Sequence, residues 1–430
     1  LVDQAIAYST LALTVSLAVS RPRIGLAGLR FSPGAAAVLG VVVLFVTGIL
    51  DLADLALSAR VQWRPLVALA SIMVMTGLVQ ETGVLDRLAA AIERRARDRS
   101  AETTFAAVFA TSLVGSAVLN NDAAILLFTP LAVLLARRLY PAQPRVELAF
   151  AFAVLLAPGI APFFTANPMN MLVAEFAGLS FNHYVAWMLP SSLIASVLTF
   201  WLLRAYFRRD LASARASVPS PAHARRHPAQ LLSLALMVGV FLSYPVVALW
   251  GGPVWAVSVA GAGLAWLLAR AARVAPTRQI VRHVSLDILL FLWGVFVVVG
   301  GLREVGVVDS LSSVYRVAPV GSLQETLLVG SLSALGSAVI DNHPMAILNL
   351  MALDGAESPR PLLAALIGGD LGPRLLPIGS LAGLLWFALL RRRDVEVPIG
   401  LFVKVGVLSL VPSLLAALLT LHFVGQVAAP

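Results

Sequence analysis

The sequence predicts an all-α polytopic membrane protein made of two inverted-topology repeats, each with a re-entrant helical hairpin and a discontinuous transmembrane helix. Three observations carry this. Of 430 residues, 59% are hydrophobic and 12% charged, with a mean hydropathy of +0.90, a composition that cannot clothe a soluble globule in polar side chains. The apolar runs approach the roughly 20 residues that span a bilayer as a helix, and they are rich in Leu, Val and Ala with Gly and Pro interspersed, unlike the alternation of barrel strands. Finally, one motif occurs twice: Gly115-Ser116-Ala117-Val118 leads into Leu119-Asn120-Asn121-Asp122, and Gly336-Ser337-Ala338-Val339 into Ile340-Asp341-Asn342-His343. Upstream, Glu81-Thr82-Gly83-Val84-Leu85-Asp86 is echoed by Glu304-Val305-Gly306-Val307-Val308-Asp309. A duplicated apolar run with a polar break at its centre points to a transporter site.

In order along the chain, spans are predicted at Gln4 to Ser20, Gly34 to Leu50 and Pro65 to Gln80. A hairpin follows at about 105–135, with arms Phe105 to Leu119 and Ala123 to Leu135, then a broken span at about 148–175 and a span from Tyr184 to Leu203. These make the N-terminal half, 1–203. A basic Ser/Pro/Arg-rich linker covers 204–228. The C-terminal half, 229–430, has spans Leu231 to Trp250, Val254 to Ala269 and Leu286 to Leu302, a hairpin at about 327–353, a broken span at about 361–390, and a last span from Ile399 to Leu421. No cleavable signal peptide is expected at the start of the chain.

Charge sets the orientation. If both hairpins turn back within the membrane, 24 arginines fall on one face and five, Arg60, Arg64, Arg303, Arg316 and Arg360, on the other. That bias marks the first face as cytoplasmic. The N-terminus is then outside, the first hairpin enters from the cytoplasm and the second from outside, so the halves are inverted. The net charge of +9 resides in these short loops, so nucleic acid is not an expected partner; the lipid bilayer is. With no cysteine, disulfides and thiolate metal sites are excluded.

Hairpin tips at membrane depth leave helix-end amides and carbonyls for a small polar solute, and Asn120, Asn121 and Asn342 add side-chain amides that both donate and accept. Low dielectric opposes the charged form of a carboxylate, so Asp122 and Asp341 are expected to exchange protons near neutral pH. The same residues also serve as helix caps. The broken spans supply the rest: Pro158, Gly159, Pro162 and Pro168 interrupt one and bring Thr165, Asn167 and Asn170 to the break, while Gly372, Pro373 and Pro377 interrupt the other beside Gly379 and Ser380. Asp370 and Arg374 stand four apart, placed either to pair with each other or to couple directly to transport. His343 is a titrating group or a neutral partner of Asp341; with no second His nearby, a histidine metal site is not expected. His183 and the tryptophans, Trp187 included, suit interfacial anchors, and Glu81 and Glu304 suit positioning of the segments that follow them. The Gly-x-x-x-x-Gly-Lys-Ser/Thr, His-Glu-x-x-His and Gly-x-Ser-x-Gly patterns are missing, so the chain is read as no ATPase, hydrolase or other enzyme.

Asn121-Asp122-Ala123-Ala124 with Phe128-Thr129-Pro130, Asn167-Pro168-Met169-Asn170-Met171-Leu172-Val173-Ala174-Glu175-Phe176, and above all Gly369-Asp370-Leu371-Gly372-Pro373-Arg374-Leu375-Leu376-Pro377-Ile378-Gly379-Ser380-Leu381-Ala382 followed by Leu384-Leu385-Trp386 resemble the arsenical efflux permeases, the ArsB-type members of the ion transporter superfamily. The resemblance extends over essentially the whole chain. It implies export of trivalent arsenic and antimony hydroxides from the cytoplasm of a bacterium or archaeon in exchange for protons, with no cofactor. It also implies a scaffold domain that holds a homodimer, a transport domain that moves as an elevator, and in some members a separate cytoplasmic ATPase subunit. In that frame Asn120, Asn121, Asn342, His343, Thr165, Asn167, Asn170, Gly379 and Ser380 are the substrate-binding set, Asp122, Asp341 and Asp370 the proton-coupling set, and Arg374 a charge partner. Asp341 stands where the family pattern has Asn, His343 precedes the Pro, and Arg374 replaces Lys. The alternative on the same scaffold is a sodium/proton antiporter or a sodium-coupled dicarboxylate or anion transporter.

Overall fold

The computed structural model describes residues 2–20, 23–24, 29–84, 87, 100–119, 121–214 and 228–427. Apart from a two-residue antiparallel pair, Arg23–Ile24 with Leu29–Arg30, the described residues form helices and their connections. Among the described residues, seven helices are long and apolar enough to cross a membrane, and side chains such as Leu231, Leu249, Val197 and Trp201 remain exposed on their outer faces. That is the distribution expected where lipid, not water, is the solvent.

The first half contains α1 (Val2–Ser20), α2 (Pro33–Val46), α3 (Leu52–Glu81), the hairpin arms α4 (Ala101–Leu119) and α5 (Asn121–Leu139), α6 (Pro144–Leu156), α7 (Pro168–Phe176), α8 (Phe181–Tyr206) and the short α9 (Arg208–Ser213). The second contains α10 (Gln230–Leu249), α11 (Val254–Ala271), the short α12 (Thr277–Val281), α13 (Leu286–Glu304), α14 (Val307–Tyr315), the hairpin arms α15 (Leu323–Ile340) and α16 (Asn342–Ala352), α17 (Arg360–Leu371), α18 (Leu381–Arg391) and α19 (Ile399–Val427). Each half thus holds a hairpin followed by a helix broken in the middle.

Packing sorts these helices by role more than by half. α2 lies along α1 and α13, and α3 along α11 and α13, forming one layer from both halves. The other layer joins α8 to α19, α15 to α17, and α5 to both α6 and α18. Contacts of α3 with α7, α13 with α16 and α10 with α8 bridge the two. Close approach within the layers depends on missing side chains, as small residues permit in membranes: a methyl on Gly294 of α13 would lie 2.8 Å from the Ala37 methyl of α2.

Two sequence expectations need correction. α3 begins at Leu52, not Pro65, because Asp51 caps it, accepting from Ala53 and Asp54 amides at 2.7 and 2.9 Å while Asp54 accepts from the Asp51 amide at 2.9 Å. That capping box starts the helix ahead of Arg60, Gln62 and Arg64, whose polarity hides its first turns from hydropathy. Pro65 sits inside it. Nor are all tryptophans interfacial. Trp187 is buried, and Trp386 is fully buried with its indole N–H donating to the Ala151 carbonyl at 3.0 Å, satisfying the one polar atom that would otherwise draw the ring to an interface.

Candidate functional site

The two helix breaks meet at the centre of the second layer. α6 stops at Leu156, ahead of Pro158, Gly159 and Pro162; after a 3₁₀ turn at Phe164–Ala166 the chain resumes as α7. Asn167 caps that restart by accepting from the Met169 amide at 3.1 Å. In the other half α17 ends at Leu371, 3₁₀ turns cover Gly372–Arg374 and Pro377–Gly379, and Ser380 caps α18 by accepting from the Gly383 amide at 3.0 Å. Asn167 and Ser380 are therefore equivalent devices, each replacing hydrogen bonds that the prolines remove.

Asp370 reaches across from one break to the other. It accepts from Asn167 Nδ2 at 3.0 Å, Asn170 Nδ2 at 3.1 Å and the Ala161 amide at 3.2 Å. Asn170 Nδ2 also donates to the Tyr184 hydroxyl at 2.7 Å, which in turn donates to the Ala161 carbonyl at 3.2 Å. The pairing of Asp370 with Arg374 expected from their spacing does not occur among the described residues. α17 ends one residue after Asp370, so Arg374 lies on a 3₁₀ turn and points elsewhere: its guanidinium donates to Thr199 Oγ1 at 2.9 Å and to the Leu156 carbonyl at 3.0 Å. That carbonyl is one that the end of α6 leaves without a helical donor.

The second hairpin tip is strained. Asp341 has φ 77° and ψ 150°, a conformation that only glycine adopts cheaply. In it the carboxylate Oδ1 accepts from the His343 amide at 2.9 Å and stands 2.8 Å from His343 Nδ1. Asp341 Oδ2, Asn342 Oδ1, Ser337 Oγ and Asn170 Oδ1 are buried without a hydrogen-bond partner among the described residues. The ring of His343 also stands edge-on to Phe291 of α13 at 5.6 Å between centroids. At the first tip Asn121 is described; Asn120 and the side chain of Asp122 lie outside the described residues.

Tips and breaks enclose a cavity of about 70 Å³. Of the residues singled out in the sequence, Asn121, Asn167, Asn342, His343, Asp370, Arg374 and Ser380 line it, with Leu156, Pro158, Gly383 and Phe402 among the remaining walls. Asn170 and Asp341 stand behind that wall, holding Asp370 and His343. Thr165 is buried on another side, near Ile72, Met75 and Tyr244, and Gly379 serves packing, since a methyl on it would lie 2.8 Å from the Pro373 α-carbon and 3.1 Å from that of Ala338. Tyr184, Thr199 and Phe291 went unnoticed in the sequence. Each is an isolated residue in an apolar helix, so no spacing signals it. A second, larger cavity of about 450 Å³ opens near Arg64, Phe164, Glu175 and Trp255, and the Arg64–Glu175 ion pair at 2.9 Å joins α3 to α7 there.

The chain is similar to several known proteins along most of its length. A family model described as citrate transporter (CitMHS) matches residues 17–369. The arsenical pump membrane protein of Escherichia coli K12 is 30% identical over 424 residues, covering 95% of this chain and 96% of that protein. That of Yersinia enterocolitica is 28% identical over 431 residues, covering 97% and 98%. Among solved structures, the Alcanivorax borkumensis YdaH transporter, described as having an unusual topology, superposes with a TM-score of 0.60 at 16% identity over 99% of this chain and 97% of its own, a likeness of fold.

Proposed function

The chain belongs to the arsenical pump membrane protein family of multi-pass transporters, and from that premise we propose that it exports arsenite and antimonite across a prokaryotic cytoplasmic membrane in exchange for protons. The observation that carries this reading is the size and lining of the central cavity. About 70 Å³ is room for a few water-sized groups, in scale with a trihydroxide on one central atom. Its amides, hydroxyl, imidazole and carboxylate match hydroxyls that donate and accept. Hydrogen bonds also release cargo readily, where thiolates would hold trivalent arsenic; the sequence has none.

Asn121, Asn167, Asn342 and Ser380 contact cargo in this reading, and Asn120, which lies outside the described residues, is assigned to the same set from the sequence. Protons exchange within the set Asp122, Asp341 and Asp370. The layer carrying tips and breaks moves against the other as an elevator, a motion favoured by the division of packing into two layers with few bridges. A second copy would dock on the static layer and a cytoplasmic ATPase subunit on the arginine-rich loops; both expectations come from the family.

One observation favours a rival. The buried Arg374 places a fixed cation beside the cavity, and the citrate-transporter model matches most of the chain, so a sodium-coupled anion carrier is the alternative. The test uses inside-out vesicles containing the full chain. Arsenite accumulation driven by an acid interior, without sodium and without competition from citrate, is the expected result. Uptake of citrate or succinate that requires sodium, with no arsenite flux, would overturn it.

A further inference from the structure

The larger cavity, of about 450 Å³, lies away from the tips and breaks, where α7 and α10 end and α8 and α11 begin beside α3. Its volume falls in the range of small-molecule sites, ~300–1,000 Å³. Arg64 of α3 and Glu175 of α7 put both signs of charge on its lining, while Ala68, Phe164, Met171 and Phe181 make much of the rest apolar. Charge beside an apolar floor suits an amphiphile better than a bare ion.

The two charges are only partly spent on each other. Arg64 donates from one nitrogen to one Glu175 oxygen at 2.9 Å, and the side chains stay 53% and 40% exposed. The guanidinium also lies over the Trp63 ring, 5.6 Å from its centroid. No further hydrogen bond engages either group among the described residues, so the other guanidinium N–H groups and the second carboxylate oxygen have capacity left. The neighbours of this lining place its mouth in lipid. Trp63 beside Arg64, Phe176 beside Glu175, and Leu249 and Trp250 between Ala248 and Gly251 are all exposed. Water would drive such side chains inward; at a membrane boundary lipid covers them, and Trp is common there. Trp63 packs edge-on to Trp255 of the cavity wall at 5.1 Å, joining α3 to α11 at this end.

We propose that this cavity binds the headgroup of a phosphatidylethanolamine lipid, with the phosphodiester at Arg64, the primary ammonium at Glu175, and the glycerol and first methylenes against Phe164, Met171 and Phe181. A guanidinium meets a phosphate with a fork of two N–H donors, and a primary ammonium brings three donors to a carboxylate. A zwitterion laid antiparallel to the Arg64–Glu175 pair satisfies both charges without breaking the pair. The trimethylammonium of phosphatidylcholine has no N–H for Glu175, and phosphatidylglycerol has no cation. Glycerophosphoethanolamine offers the same polar chemistry in soluble form, but the exposed apolar mouth favours the lipid. Because Arg64 and Glu175 stand on different layers, the bound headgroup strengthens one of the bridges between them. The site is independent of the cargo in the central cavity.

The test titrates the purified full chain in detergent with dioctanoyl phospholipids and follows its melting temperature, which rises as a ligand binds the folded state. Phosphatidylethanolamine should bind saturably and at least about tenfold more tightly than phosphatidylcholine or phosphatidylglycerol, the worth of one hydrogen bond to a charged group. Glu175→Gln removes that preference, and Arg64→Gln weakens binding of all three. Ala248→Phe fills the cavity without touching the ion pair and also weakens all three; it decides if a charge variant fails to fold. Equal binding of the three lipids by the wild type, or phosphatidylethanolamine binding unchanged in Ala248→Phe, overturns the proposal. So does glycerophosphoethanolamine binding as tightly as the lipid, which would make the occupant a solute. A chain that binds the lipid as expected yet moves no arsenite would overturn the exchange reading and uphold this site.

Discussion

Asp370→Asn is nearly isosteric, yet the geometry around Asp370 makes it costly. All three groups facing the carboxylate are donors: the Ala161 amide and Asn170 Nδ2 at one oxygen, Asn167 Nδ2 at the other. An amide can keep its oxygen toward the first pair, but its NH₂ then meets the NH₂ of Asn167. Asn167 cannot turn over to relieve the clash, because its Oδ1 is the cap on Met169. One charge-assisted hydrogen bond is lost, worth about 1.5–3 kcal/mol, and two others become neutral at about 1 kcal/mol less each. Removing a buried charge returns part of that sum, leaving a net loss of about 2 kcal/mol, roughly thirtyfold in the population with both breaks joined. The purified variant should melt several degrees lower and, on the function proposed above, transport arsenite at a few per cent of the wild-type rate. Adding Asn167→Asp should recover much of the melting temperature, since a carboxylate at 167 accepts from both the Met169 amide and the new amide at 370. Wild-type melting and transport in the single variant, or no recovery in the double, would refute the donor-only account of this pocket.

Three further outcomes follow from the same packing. Gly368→Ala puts a methyl onto the Gly330 carbonyl of α15, backbone that cannot step aside, so about 1–3 kcal/mol of stability is lost, measurable by thermal unfolding. Arg374→Lys replaces a planar fork with a point charge that cannot hold both Thr199 and the Leu156 carbonyl; leaving that carbonyl unpaired costs about 1–3 kcal/mol, seen as a lower melting point with Thr199→Ala adding little further. Hydrogen bonds from the Asp54 and then the Ala53 amide hold the Asp51 carboxyl below its ordinary value of 3.8. The cap therefore stabilises fully above that value and fades as pH falls through the depressed one, so Asp51→Ala should lower the melting point at pH 7 and converge with the wild type in acid.

What the sequence made legible was whatever depends on local pattern. Apolar length shows the spans, and the prolines around Pro158 and Pro373 show both breaks. The repeated Gly-Ser-Ala-Val lead-in shows that the two tips are equivalent. Partnerships that cross between halves were not legible. The spacing of Asp370 and Arg374 suggests a pair on one helical face, but α17 ends between them, and each finds its partners more than 170 residues away, in Asn167, Asn170, Thr199 and Leu156. Tyr184 and Phe291 matter through neighbours that only the fold supplies.

Those crossed partnerships bear on how the site can move. The second break is anchored to the first by Asp370 and Arg374, and to the second hairpin by the glycine contacts of Gly368 with Gly330 and of Gly372 with Ala334. Separating the breaks would strand a carboxylate, a guanidinium and several backbone groups in low dielectric, at several kcal/mol. The bridges to the other layer are lighter. The Arg64–Glu175 pair is about half exposed on both sides, worth at most about 1 kcal/mol, and the His343–Phe291 contact is a single ring edge. Under the elevator motion proposed above, the inexpensive path is one that carries both breaks and the second tip together past α3 and α13. Neither half of the chain can perform it alone, because each supplies only part of the lining and part of the anchor.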